Sequence, residues 1–122
     1  MASETAISRE IATFLRDLGC KVYVTSRRDP KGRRTTAGLP DMLVLFPEGE
    51  RSDVVERRDG YTRVLYRQQP RWTFAEIKGP KGKLRPDQIE FLDHAVRAGV
   101  PWQLWRSVDD AVAWAKRTGI VE

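Results

Sequence analysis

One cysteine and one histidine are all that this chain holds of the two residue types on which many metal and nucleophile sites are built. With Cys20 alone, an internal disulfide and a cysteine zinc cluster are excluded. With His94 alone, a histidine-pair metal site is excluded and Ser-His-Asp chemistry has a single candidate base. Long apolar runs are missing too. Nothing approaches the ~20 consecutive apolar residues that span a bilayer. Glu4, Arg9 and Glu10 interrupt the apolar core an export signal needs. These absences point to a soluble protein of the reducing cytoplasm, with no membrane partner and no organic cofactor. Internal repeats and low-complexity tracts are also lacking.

What is present fits one compact domain over 1–122. A chain of 122 residues buries roughly two-thirds of its unfolded surface, and 40% apolar content with four Trp residues supplies a core. The Trp residues read as core or interface anchors. Twenty-two Lys and Arg against 17 Asp and Glu leave a net charge of +5, which suits a polyanionic partner.

Along the chain, Ser3 is positioned to cap a helix carrying Ile7, Ile11, Phe14, Leu15 and Leu18 at helical spacing, with Gly19 as its stop. Glu4 falls within about 40° of the centre of that apolar stripe, where an acid either reaches past the core to solvent or lines a site. Lys21 to Ser26 is rich in strand formers. It leads into a loop holding Arg27, Arg28, Lys31, Arg33 and Arg34. That loop is either merely solvated or grips phosphate through Arg forks and backbone amides. Asp41 then opens an apolar strand from Met42 to Phe46. Asp59-Gly60, between two β-rich runs, predicts an inserted hairpin at about 51–69. Trp72 to Lys78 reads as the next strand. A second basic turn carries Lys81, Lys83 and Arg85, and Pro86 begins a helix to about Ala98. Its expected buried positions are Ile89, Leu92, Ala95 and Val96, with His94 on its flank. Pro101 to Trp105 reads as a last strand. Ser107 and Asp110 resemble a capping box for a helix from Val108 to Arg117.

The order is thus α-β-β-(hairpin)-β-α-β-α, and the chemistry-bearing residues follow it. On a strand Glu76 and Lys78 point the same way, ~6–7 Å apart. If the strands of Asp41 and Glu76 pair, two carboxylates and an ammonium meet at a sheet end. That is a minimal kit for holding a divalent cation beside a water and a phosphate. The plainer alternative is a solvent-facing charge pair at Glu76 and Lys78, with Pro40-Asp41 as an ordinary turn. Gln88 falls in the first turn of the following helix.

Gly38-Leu39-Pro40-Asp41, then Glu76-Ile77-Lys78, then Pro86-x-Gln88 resemble the PD-(D/E)xK nuclease superfamily, and within it the VRR-NUC (virus-type replication-repair nuclease) domain. The likeness runs from the leading Glu helix to the closing strand and helix, and suggests a stand-alone phage or bacterial form. It implies an α/β restriction-endonuclease-like fold, a mixed central sheet flanked by helices, and metal-dependent cleavage of DNA. Asp41, Glu76 and the Ile77 carbonyl would then hold Mg²⁺ or Mn²⁺. Lys78 would stabilise charge first and act as base second. Gln88 would fix the attacking water, and Glu4 would serve a second metal. Arg27, Arg28, Lys31, Arg33, Arg34, Lys81, Lys83 and Arg85 would contact phosphates. Flaps, ends or four-way junctions are the implied substrates, met by a homodimer in replication, repair or recombination. A non-catalytic nucleic-acid-binding module and a sequence-specific restriction-type endonuclease are the rival readings. The 34 residues between Asp41 and Glu76 exceed the family's usual link.

Overall fold

The computed structural model describes residues 3–25, 37–49, 54–66 and 70–121. In chain order these form α1 (Glu4–Asp17), β1 (Lys21–Val24), β2 (Met42–Leu45), β3 (Val54–Arg58), β4 (Tyr61–Tyr66), β5 (Trp72–Ile77), α2 (Pro86–Arg97), β6 (Trp102–Trp105) and α3 (Val108–Arg117). The element order matches the sequence pattern throughout.

Four strands make one sheet in the order β1-β2-β5-β6. β2 runs antiparallel to both of its neighbours, β1 and β5, and β6 runs parallel to β5. The parallel step needs a crossover, which α2 supplies. Register places Met42 opposite Ala75 and Val44 opposite Thr73. Side-chain alternation then sends Met42, Val44, Ala75 and Ile77 to one face. There they join Ile7, Ile11 and Leu15 of α1 and Ala111, Trp114 and Ala115 of α3 in the core. The other face carries Phe74, whose ring meets the edge of Phe91 on α2 at 5.4 Å. The result is three layers: α1 and α3, the sheet, then α2.

Local signals explain the helix ends. The Ser3 hydroxyl accepts the Ala6 N–H at 3.1 Å. At the other end of α1, Gly19 sits at φ +93° and the Cys20 N–H reaches the Leu15 carbonyl at 3.0 Å. Buried Cys20 is a free thiol, and desolvation pushes its pKa upward. The expected capping box of α3 is not made. The Asp110 carboxylate accepts the Arg106 N–H at 2.7 Å, one residue earlier than a box requires, and the Ser107 side chain makes no cap bond.

The buried face of α2 also differs from expectation. Ala95 is buried and Leu92 half-buried, but Ile89 and Val96 are 43% and 68% exposed. The helix is rotated so that Gln88, Phe91 and Ala95 face the sheet, because Phe91 packs on Phe74 and Gln88 bonds inward to Glu76. Trp105 and Trp114 are core residues, whereas Trp72 and Trp102 are half-buried; His94 is exposed.

β3 and β4 form a separate two-stranded sheet. Asp59 and Gly60, at φ 51° and 82°, make the tight turn that the Asp-Gly pair predicts. Among the described residues no other helix or strand packs against this hairpin.

Candidate active site

The Gly38-to-Asp41 segment is held against α2 by close backbone approach. A Cβ on Gly38 would lie 2.5 Å from the Asp87 carbonyl oxygen, and Gly38 has φ +82°. Only glycine satisfies both conditions. Pro40 is buried, and its carbonyl accepts the Thr25 hydroxyl. The Thr25 N–H in turn donates to the Asp41 carbonyl at 2.8 Å. Asp41 therefore enters β2 with its backbone tied to the end of β1. Its side chain is tied to β5, since Oδ2 accepts the Ile77 N–H at 2.8 Å.

Continuing the register, Asp41 stands opposite Glu76 and shares its face of the sheet. Glu76 is 1% exposed and Lys78 5% exposed, which rules out the solvent-facing pair. Lys78 Nζ lies 3.9 Å from Glu76 Oε1. The same oxygen accepts Gln88 Nε2 at 2.9 Å, while Gln88 Oε1 accepts the Arg85 N–H at 2.9 Å. Gln88 is itself buried. It thus caps α2 with one end of its amide and holds the carboxylate with the other.

These groups open on a cleft of about 720 Å³ whose walls include Asp41, Glu76, Ile77, Lys78 and Gln88. Glu4 also lines it, but as an exposed residue at the rim. Among the described residues no group of three or more His, Cys, Asp or Glu side chains is placed to hold a metal ion. The two acids of the cleft wall, Asp41 and Glu76, offer oxygen donors, as the expected Ile77 carbonyl would. Such a set suits a hard divalent cation that completes its shell with water and phosphate oxygens.

The cationic candidates divide. Lys81 and Lys83 are exposed on the turn that follows Lys78. Arg85 lines the cleft but spends its Nε on Asp87 Oδ1 at 3.3 Å. Desolvation acts upward on the Asp87 carboxyl; Arg85 and the amides of Asp87 and Gln88 outweigh it and hold the group below its usual range. Arg27, Arg28, Lys31, Arg33 and Arg34 lie outside the described residues.

The sequence reading missed the wall that α1 contributes. Thr5, Ser8, Arg9 and Thr13 line the same cleft. Their signal was a polar row at i, i+4 spacing beside the apolar stripe. Arg106 was missed as well. Its Nη1 donates to the carbonyls of Gly79 and Gly82, at 2.8 and 2.7 Å.

A family model for the VRR-NUC domain matches residues 23–109. The chain belongs to the VRR-NUC family. The matched span contains Asp41, Glu76, Lys78 and Gln88, and it begins after α1 and Glu4. A solved structure described as a VRR_NUC domain is similar to this chain with TM-score 0.58 and 18% identity, covering 94% of this chain and 97% of that one. At that identity the likeness concerns the fold, a mixed α/β arrangement with a mixed sheet and three helices. No curated protein matches the chain. As a VRR-NUC domain the chain is of nuclease type. No helix among the described residues is long and apolar enough to cross a membrane.

Proposed function

We propose that this VRR-NUC domain hydrolyses phosphodiester bonds of DNA with the help of Mg²⁺ or Mn²⁺, in the manner of PD-(D/E)xK nucleases. One observation carries the reading: Glu76 and Lys78, both ionisable, are buried beside Asp41 and Gln88 in the wall of a single cleft. Buried charge of this kind is costly, and its concentration in a cleft favours a working site over a structural pair.

Asp41, Glu76 and the Ile77 carbonyl would hold the ion, and Glu4 at the rim would reach a second one through water. When bound, the ion supplies charge neutralisation at the phosphate and a more acidic water. The hydroxyl of that water joins phosphorus as the bond to one sugar oxygen breaks, and its remaining proton ends on the leaving oxygen. The products are a phosphate monoester and a sugar hydroxyl. The Lys78 ammonium stabilises the charge that develops on the phosphoryl oxygens. The Gln88 amide holds Glu76 in one rotamer and orients the attacking water. Lys81 and Lys83 grip the backbone without reading sequence, as does Arg85 when released from Asp87.

The substrate class is structured DNA: flaps, ends or four-way junctions. A homodimer would present two such clefts to the two equivalent strands of a junction. The whole described chain would act as one domain in the cytoplasm of a bacterial or phage-infected cell.

The test is a cleavage panel over plasmid, linear, flapped and four-way DNA, with Mg²⁺, Mn²⁺ or EDTA, and with product ends mapped. The expected outcome is metal-dependent scission concentrated at branch points. DNA binding without metal-dependent scission would replace the enzyme by a binding module. Discrete bands at one sequence in linear DNA would replace it by a restriction-type enzyme.

A further inference from the structure

Resting on that nuclease reading, we infer that Arg106 is a positioning residue that sets Lys78 by clamping the turn behind it. Lys78 follows the last residue of β5, and its N–H donates to the Trp105 carbonyl at 3.1 Å. Register between the parallel strands sets Ile77 beside Trp105. Arg106, the next residue, is thereby delivered to the Gly79–Gly82 turn. Its guanidinium Nη1 bridges both ends of that turn through the carbonyls of Gly79 and Gly82. The turn's own closure is a single backbone bond, Gly82 N–H to the Gly79 carbonyl at 3.1 Å. Pro80 fixes φ at the second position of the turn, but the glycines at its two ends leave freedom there, and a charge-assisted clamp on both of their carbonyls restrains those ends.

The turn matters because it walls the stem of Lys78. A Cβ on Gly82 would stand 3.3 Å from Lys78 Cδ and 3.4 Å from its Cβ. The Lys78 side chain lies directly against the backbone that Arg106 holds. Arg106 is in turn fixed by its own N–H, which donates to Asp110 Oδ2 at 2.7 Å. A chain of contacts runs from α3 through Arg106 and the turn to the ammonium, 3.9 Å from Glu76. Releasing the clamp lets the turn open and the ammonium wander, and a displacement near 1 Å costs about 100-fold in rate.

The experiment compares the wild type with Arg106→Ala, Arg106→Gln and Arg106→Lys, each checked for cooperative melting. Two readouts are used. The first is acylation of Lys78 by a water-soluble ester, followed by mass spectrometry against exposed Lys116 as internal reference. The second is cleavage kinetics, with the double variant Lys78→Ala/Arg106→Ala included. Lys78 should label several-fold faster in Arg106→Ala, and Lys116 at its wild-type rate. The kcat should fall roughly 10- to 100-fold with KM within about twofold. Arg106→Lys should recover part of the loss, and the double variant should be no slower than Lys78→Ala alone. Unchanged Lys78 labelling in folded Arg106→Ala, or in Arg106→Gln where Arg106→Ala does not fold, would overturn the inference. So would a raised KM at constant kcat, which would make Arg106 a phosphate contact. If the wild type cleaves nothing, the nuclease reading falls, and the labelling arm still decides the clamp. If Arg106→Ala does not fold, Arg106→Gln, which keeps an amide donor, carries both measurements.

Discussion

Glu76 is an acid buried at the heart of the site. At 1% exposure its carboxylate is stabilised by Gln88, which donates to it at 2.9 Å, and by Lys78 at 3.9 Å. Gln88 has a double task, since it also accepts the Arg85 N–H that begins α2. Gln88→Ala therefore removes two hydrogen bonds and leaves a buried acceptor without that donor. We predict a loss of about 2–4 kcal/mol in urea unfolding at unchanged m-value; a loss under about 0.5 kcal/mol would mean the amide is incidental. At this scale the sequence was partly legible. The types and order of Asp41, Glu76, Lys78 and Gln88 pointed to one site, because strand alternation and helix starts are local rules. Burial was not legible, since Glu-x-Lys on an isolated strand reads the same whether a helix covers it or water does. Arg106 was invisible for a similar reason. Its partners are backbone carbonyls 24 and 27 residues away, which no side-chain pattern announces.

Among the elements, the hairpin of β3 and β4 and the helix α2 show opposite limits of the sequence. The hairpin was legible from Asp59-Gly60, because the turn chemistry alone dictates it. It stands apart from the sheet, packing on no other described element. The strands it interrupts are pinned without it. Leu45 pairs with Trp72, the Phe46 N–H donates to the Arg71 carbonyl at 3.0 Å, and Arg71 Nη2 donates to the Pro47 carbonyl at 3.2 Å. Replacing residues 51–69 by a short Gly/Ser link should thus leave the melting temperature within about 4 °C, equivalent to roughly 1 kcal/mol or less. Loss of a cooperative melt would show the hairpin to be part of the folding unit. For α2 the apolar periodicity pointed to Ile89 and Val96, and both are exposed. The helix is turned instead by Phe91, packed on Phe74, and by a polar residue, Gln88, bonded to Glu76. Hydrophobic periodicity cannot foresee that, because it scores glutamine as outward.

For the molecule as a whole, the sheet order β1-β2-β5-β6 is what makes the site. It sets Asp41 opposite Glu76 across 34 intervening residues, while the crossover through α2 returns Gln88 to the same sheet end. α1 closes the cleft from the other layer, with Glu4 at its rim. The close approach at Gly38 explains why a glycine precedes the Pro-Asp pair: any side chain there would force β2 away from α2. On the proposed function, this convergence is a phosphodiester-cleaving centre and not a buried structural ion pair. The most direct measurement is nicking of plasmid DNA in Mg²⁺ by the wild type, Lys78→Ala, Lys78→Met and Asp41→Asn, each folded by cooperative melting and each tested for DNA affinity in EDTA. All three variants should lose cutting while binding DNA within a few-fold of the wild type. Nicking by purified Lys78→Ala and Lys78→Met at the wild-type rate would contradict it.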